Sequence, residues 1–285
     1  MRLTIICDRV SWEEKDLMKS AMLNGIKLSI LNVKDSKKMF DLMISGRRKL
    51  KSSLCLQRCI SYYKGLYSTV ILERKGFKVI NSFDASRICG DKLLTSLVLS
   101  ENGIPIPKTF IAFSKEQALK TLRRVGYPVI LKPLIGSWGR LISLLQDEET
   151  AYTVITFRET SSNPLYKIFY LQEYIPKNRD IRAFIVGEEV VAAMYRYNLK
   201  NDWRSSATAG ARTEPCPITD ELENICINVA KAVKGEILGV DLINKKGELL
   251  VTEVNHVPQF KAITETTGIK ISEKIIRYLK NSYSK

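Results

Sequence analysis

Three residues late in the chain interrupt apolar runs in a way that suits hard-cation chemistry. Asp241 stands in Gly-Val-Asp-Leu-Ile, and Glu253 and Asn255 in Leu-Val-Thr-Glu-Val-Asn. Glu253 and Asn255 are two apart, so in a strand both side chains leave by one face. A carboxylate set among apolar neighbours needs a partner, because burying it alone is costly. That partner is either a Lys or Arg in an ion pair, or Mg2+, which takes oxygen ligands and shares them with phosphates. The hairpin register decides whether the carboxylates meet. A two-residue turn at Lys245-Lys246 pairs Asp241 with Leu250 and turns it away from Glu253. A three-residue loop, Lys245-Lys246-Gly247 with a left-handed Gly, pairs Asp241 with Val251 and gathers both on one face. We expect the second arrangement.

Lysines and glycines supply the next candidates. Lys132 ends the apolar run Ile-Leu-Lys-Pro and precedes the loop Gly136-Ser137-Trp138-Gly139-Arg140, while Lys92 follows Gly90-Asp91. A lysine so placed meets phosphate as a point charge, and glycines let backbone N–H groups approach it. Gln172-Glu173-Tyr174-Ile175 offers an edge strand to an adenine ring. Arg179-Asp180-Ile181-Arg182 puts two cations and a carboxylate where a strand begins, and Arg196 breaks an apolar strand between Tyr195 and Tyr197. For each arginine a solvated or ion-paired state is the commoner case. Neither a Walker sequence nor Gly-x-Gly-x-x-Gly is present, so neither a P-loop nor a dinucleotide fold is supported.

The elements that must position these residues fall into three segments, expected at 1–81, 82–165 and 166–285. In the first, strands at Leu3–Cys7, Ile26–Val33, Ser53–Gln57 and Val79-Ile80 alternate with helices opened by Ser11 with Glu14 and by Ser61. That alternation implies a parallel sheet. In the second, Asp84 to Glu101 reads as one helix ended by Gly103-Ile-Pro-Ile-Pro107. Ser114 with Gln117 opens another, and strands at Val129–Lys132 and Leu141–Leu145 flank the glycine loop. The third is strand-rich: Ile168–Ile175, Ile181–Val186, Val190–Tyr197 and the hairpin Leu238–Ile243 with Glu248–Asn255. Between them lie a polar loop, Asn198–Pro217, and a helix over Thr219–Val233 whose first turn is acidic. A final helix covers Ile271–Leu279. The fold class is α/β with strand-rich later lobes.

Composition removes several chemistries. The chain has 285 residues, 45 Lys and Arg against 30 Asp and Glu, 6 Cys and 1 His. With His256 as the sole imidazole, three-His metal sites are excluded and any Ser–His–Asp triad would have to use it. The cysteines form no C-x-x-C pair, so a structural zinc site and a disulfide scaffold are not supported. No apolar run approaches the ~18 residues of a membrane span, and the N-terminus lacks a secretory pattern, so a cytoplasmic protein is expected. Residues 1–80 hold 17 basic and 7 acidic residues, and the stretch Lys34–Lys51 holds 7 and 2. Such a face is either merely solvated or steers an acidic partner, nucleic acid or protein. Charge alone does not choose, though no nucleic-acid motif is present.

Taken in order, these motifs resemble the RimK-like ligases of the ATP-grasp fold. The matches are Gly90-Asp91-Lys92-Leu-Leu-Thr, Gly103-Ile-Pro-Ile-Pro-Lys-Thr, Tyr127-Pro-Val-Ile-Leu-Lys-Pro, Gly136-Ser-Trp-Gly-Arg, Gln172-Glu-Tyr-Ile, Arg179-Asp-Ile-Arg, Gly239-Val-Asp and Glu253-Val-Asn. Together they span nearly the whole chain. Asp8, Trp12-Glu-Glu-Lys15 and Arg58-Cys-Ile-Ser-Tyr-Tyr-Lys-Gly-Leu-Tyr67 resemble the amino-group-carrier ligases of lysine and arginine biosynthesis, the LysX/ArgX type. The resemblance implies a pre-ATP-grasp parallel-sheet domain followed by two ATP-grasp lobes. It also implies an ADP-forming reaction using ATP and Mg2+. The C-terminal glutamate of a small acidic carrier (LysW-like) would become an acyl phosphate, attacked by the α-amine of α-aminoadipate or glutamate.

By the same resemblance Lys92 and Lys132 hold phosphates under the loop Gly136–Arg140. Gln172 to Ile175 border adenine and ribose, with Arg179, Asp180 and Ser206 nearby. Asp241, Glu253 and Asn255 ligate Mg2+, Arg182 steadies the transferring phosphoryl group, and Arg196 binds a carboxylate of the amino acid. Two places depart from the family. Ser206 stands where Asn is usual. Ala262-Ile263 stands where the lysine enzymes carry Asn and a small residue and the arginine enzymes Gly-Phe; these two are expected to face the acceptor. A re-specialised or non-catalytic paralogue, or a RimK-type ligase acting on another protein, are the alternatives. Relatives of this kind are often dimers or tetramers.

Overall fold

The computed structural model describes residues 1–45, 50, 52–136, 139–198 and 211–283; Ser137, Trp138 and Ser206 lie outside the described residues. The first unit is a parallel sheet of β1 (Arg2–Cys7), β2 (Lys27–Asn32), β3 (Leu54–Gln57) and β4 (Lys78–Ile80), in the order β2-β1-β3-β4. Three helices cross between these strands: α1 (Trp12–Leu23), α2 (Ser36–Ser45) and α3 (Tyr62–Arg74). The capping box is present at α1, where the Ser11 N–H donates to Glu14 Oε2 at 2.8 Å. At α3 the stop and start are set from elsewhere: the N–H groups of Ile60 and Ser61 donate to the Asp8 carboxylate at 3.0 and 3.2 Å.

The stretch expected as one helix is two, α4 (Phe83–Gly90) and α5 (Lys92–Glu101). Asp91 breaks it: its backbone is extended, and its carboxylate accepts from the N–H groups of Leu93 and Leu94. An Asp at such a position competes with helix continuation by capping the next helix instead. The break puts Lys92 on the first turn of α5, facing the cleft rather than along a helix side.

The central lobe is an antiparallel sheet of β5 (Thr109–Ala112), β6 (Val129–Lys132), β7 (Ser143–Leu145) and β8 (Phe169–Glu173), ordered β5-β8-β6-β7. The helices α6 (Lys115–Val125) and α7 (Glu148–Glu159) cover one face through Ala118, Leu122, Ala151 and Ile155. The β8 run reads from its sequence as the start of the third segment. It pairs instead with β5 and β6, so the central sheet closes only after Glu173.

The last lobe is a five-stranded sheet, β11-β10-β9-β12-β13, from β9 (Arg179–Val186), β10 (Glu189–Tyr197), β11 (Thr213–Pro215), β12 (Ile237–Lys245) and β13 (Glu248–Asn255). One face packs on α4, α5 and α8 (Asp220–Val233) through Ile181, Ala183, Val240 and Leu242. The other packs through Phe184, Val186 and Met194 on α9 (Lys261–Thr267) and α10 (Ile271–Tyr283). That second core also contains Leu3, Ile5 and Leu17, so the first unit and the last lobe share one apolar interior. Among the described residues no helix is long and apolar enough to cross a membrane, and all 6 cysteines are buried and free.

Candidate nucleotide, metal and acceptor site

Asp241 and Glu253 do share a face, by a different route from the one expected. The hairpin turn is the two-residue Lys246-Gly247, both with positive φ (55° and 99°), which leaves Lys245 opposite Glu248. That register alone would set Asp241 against Thr252 and separate the carboxylates. A β-bulge between Asp241 and Leu242 absorbs the extra residue and brings Asp241 opposite Glu253.

Across the neighbouring strands the pairs continue on the same face: Arg182 lies opposite Asp241, and Asp180 opposite Arg196. The result is a charged row across β10, β9, β12 and β13. Both oxygens of Asp241 accept from Arg182, Nη2 to Oδ2 at 2.8 Å and Nε to Oδ1. Arg196 Nη2 lies 3.1 Å from Asp241 Oδ1, and its Nε donates to Asp180 Oδ1 at 2.7 Å. Lys177 Nζ donates to the other Asp180 oxygen at 2.6 Å. Burial alone would raise the Asp241 carboxyl. The guanidiniums of Arg182 and Arg196 outweigh it and hold the group down at about 2.

Opposite this row stand the two lysines. Lys132 is buried, and its ammonium donates to Gln172 Oε1 at 2.6 Å. Burial, helped by the like charges of Lys92 and Lys177, pushes Lys132 down to about 8 against the pull of Glu253 and Asp241. Lys92 Nζ lies 3.7 Å from Glu253 Oε1 and donates to the Gly136 carbonyl at 2.9 Å. That second bond ties the start of the glycine loop to α5. Gly136 has little room, since a Cβ there would lie 3.1 Å from Pro133 Cγ. Gly139 takes a φ of 67°, which a side chain would strain. Arg140 is exposed at the far end.

Other expected residues are placed differently. Glu173 binds Lys245 at 2.9 and 2.8 Å and accepts from the Lys108 N–H at 3.0 Å. It therefore ties the central lobe to β12. Ile175 is buried with Ile243 and Leu250, and Tyr174 beside it is half-buried. Arg179 leaves β9 by the face opposite Arg182, with its guanidinium 3.7 Å from the centre of the Tyr195 ring. It does not join the charged row. On α9, Ile263 is buried in the core with Ile271 and Phe260, and Ala262 packs against the same core. Arg196, which the resemblance gave to a substrate carboxylate, is ion-paired with Asp180 and Asp241, the state its residue type alone made the commoner one.

The donor set Asp241, Glu253 and Asn255 fits Mg2+: every donor is oxygen, and phosphate and water oxygens can complete the shell. Among the described residues the buried Nδ2 of Asn255 has no acceptor, so no hydrogen bond donated by that nitrogen fixes which way the amide presents its oxygen. Among the described residues no three His, Cys, Asp or Glu converge.

Sequence reasoning gave no role to two residues by which the first unit reaches the site, Asn81 and Arg58, although Arg58 opens a motif quoted above. Buried Asn81 accepts from the N–H groups of Glu236 and Ile237 at 2.7 and 3.1 Å, and donates to the carbonyls of Ile237 and His256 at 2.7 Å each. Buried Arg58 donates to Glu14 Oε1 at 3.1 Å and to the Pro258 carbonyl at 2.9 Å. Both therefore anchor the segment that follows Asn255. For Asn81 the signal available was its type, a polar residue directly after the apolar end of β4.

Comparison with known proteins agrees with this architecture. A model of the RimK-like ATP-grasp domain matches residues 89–279, and a model of the LysX pre-ATP-grasp domain matches residues 3–88. The glutamate–LysW ligase ArgX of Sulfurisphaera tokodaii is 36% identical, with 100% of each chain covered. The α-aminoadipate–LysW ligase LysX of Saccharolobus solfataricus is 33% identical over 93% of this chain and 96% of its own. Among solved structures, a RimK-domain ATP-grasp protein of Sphaerobacter thermophilus superposes with a TM-score of 0.76 at 17% identity, covering 98% of this chain and 99% of that one. The D-alanine–D-alanine ligase of Bacillus anthracis gives 0.71 at 18% identity, over 100% and 98%; both share the fold. The charged row, the paired lysines and the two matching domain models lead to one assignment: the chain belongs to the RimK-like ATP-grasp family, with a LysX-type pre-ATP-grasp domain at its N-terminal end.

Proposed function

We propose that the chain is an ADP-forming carboxylate–amine ligase acting on the C-terminal glutamate of an acidic LysW-like carrier, with α-aminoadipate or glutamate as the amine. The observation that carries this reading is the charged row Arg196, Asp180, Arg182, Asp241 and Glu253 facing Lys92 and Lys132. It is an arrangement that can hold a triphosphate and stabilise negative charge as it moves. The full-length likeness to LysW ligases supports the choice of carrier. So does the basic first third, which steers an acidic protein toward the cleft.

An oxygen of the carrier's terminal carboxylate attacks the γ-phosphorus of ATP, the bond to the β-bridging oxygen breaks, and ADP leaves. The amine nitrogen then attacks the acyl carbon, loses a proton, and phosphate departs. Lys132 and Lys92 hold the phosphates, and Arg182 spreads the charge of the phosphoryl group in flight. Mg2+, held by the oxygens of Asp241, Glu253 and Asn255, would offset phosphate charge against the incoming carboxylate. Arg196 acts as a positioning residue, holding Asp241 and Asp180 in the row. Such a ligase would work in the cytoplasm. Intact-mass measurement of LysW after incubation with Mg-ATP and each amino acid tests the reading. Addition of one glutamyl or one α-aminoadipyl residue is expected; an unchanged mass with both would refute it.

A further inference from the structure

The face of the first unit made by α2 and α3 is not used by the chemistry above. Both helices lie on one side of the parallel sheet, sharing a core of Leu42, Cys55, Leu72 and Phe77. The outer surface of α3 carries Tyr63 and Tyr67, 47% and 62% exposed, with rings stacked 6.5 Å apart at 20°. Large aromatic side chains in water are costly, and at protein interfaces they serve as anchors. Lys64 and Arg74 are exposed on the same helix, and Lys34, Lys37 and Lys38 at and before the start of α2. Asp35 is the nearest acid there, and Lys38 holds it at 3.3 Å.

This aromatic and basic surface runs into the site. The Tyr63 ring is 5.1 Å from that of Tyr62, which is itself 6.2 Å from His256, the residue after Asn255. Resting on the ligase reading above, we infer that the α2–α3 face, centred on the Tyr63–Tyr67 stack, is the docking surface for the folded body of the acidic carrier. Docking here would let the carrier's terminal residue enter past Tyr62. The tyrosines supply apolar anchorage, and the lysines supply attraction to a partner of opposite charge. The surface acts on the carrier alone, leaving nucleotide and amino acid untouched.

The test uses LysW of Sulfurisphaera tokodaii and a synthetic peptide of its last residues. Tyr63→Ala/Tyr67→Ala and Lys37→Glu/Lys38→Glu are compared with the unaltered chain. LysW affinity is read by fluorescence anisotropy, and kcat/KM is measured for both substrates. At least tenfold weaker LysW binding and a matching fall in kcat/KM for LysW are expected, with peptide turnover and ATP affinity unchanged. Unaltered LysW affinity in both variants would overturn the surface while leaving the ligase reading intact. So would a dimer that dissociates on Tyr63→Ala/Tyr67→Ala, or single-stranded RNA bound at this face without competition from LysW. Absence of any LysW turnover by the unaltered chain would instead overturn the ligase reading, and the docking surface with it.

Discussion

Lys132 offers the sharpest test of how burial tunes the proposed nucleotide site. Its ammonium is buried, and its pKa is pushed down to about 8 from an ordinary 10.5. A depression of that size corresponds to a penalty of about 3 kcal/mol on the charged form. With a pKa near 8, about nine in ten molecules carry the charge at pH 7 and about one in ten at pH 9. If a triphosphate needs that charge, its dissociation constant rises about tenfold between pH 7 and 9. Calorimetric titration with ATP, read above the ionisation of the nucleotide's own terminal phosphate, follows this directly. Lys132→Arg keeps a charge throughout and should flatten the profile, while Lys132→Met should bind weakly and flatly. Stability carries the opposite sign. Between pH 8 and 10.5 the unfolded chain holds more protons at this position, so the penalty is relieved as pH rises. Burial pushes the Cys55 thiol and the Tyr62 phenol up to about 12, so the unfolded chain loses those protons in the same window, and the effect is read as the difference between the unaltered chain and Lys132→Met. A flat ATP affinity up to pH 9.5 in the unaltered chain would refute the reasoning.

Asp241→Asn leaves Arg182 and Arg196 facing a neutral amide in a buried site. A loss of about 3–5 kcal/mol in urea unfolding is expected, with part recovered when Arg182→Met is added; additive losses would count against the ion-paired row. The same carboxyl, held at about 2, contributes stability that is complete above pH 3.8 and lost as pH falls through 2, so Asp241→Asn should blunt the acid end of the pH–stability curve. Asn81→Ala strips four hydrogen bonds that tie the first unit to Glu236 and Ile237 at the start of β12 and to His256 after β13. Orphaned backbone groups should cost about 3 kcal/mol in thermal or urea unfolding. At Gly90 an added Cβ would fall 1.8 Å from the Tyr62 ring. Gly90→Ala should therefore destabilise by about 1–3 kcal/mol and raise KM for the carrier more than for ATP.

Much of this architecture is legible from periodicity, and the failures share one cause. The alternation of strands and helices in the first 80 residues produces the parallel sheet expected of it, because each crossover is local. The β8 strand reads correctly as a strand, yet its membership in the central sheet depends on partners 38 to 63 residues away, which an apolar run does not encode. At the site, residue types announced themselves and partners did not. Asp241 is conspicuous in an apolar strand, but only the bulge, invisible in composition, sets it opposite Glu253. Arg196 reads from its type as solvated or ion-paired, and only the resemblance gave it a substrate carboxylate; its ion-pair partners Asp180 and Asp241 lie on other strands, remote in sequence. Ile263 marked a departure from a family pattern, and packing with Phe260 and Ile271 gives it an ordinary place in the core.

The proposed reaction turns on the passage of a carboxylate through an acyl phosphate. LysW whose terminal glutamate carboxylate is enriched in 18O, turned over with Mg-ATP and the acceptor amino acid, reports that step in the phosphate released. The account requires one labelled oxygen in inorganic phosphate for each amide formed, with none in ADP. Unlabelled phosphate alongside amide formation, or label recovered in AMP, would contradict it.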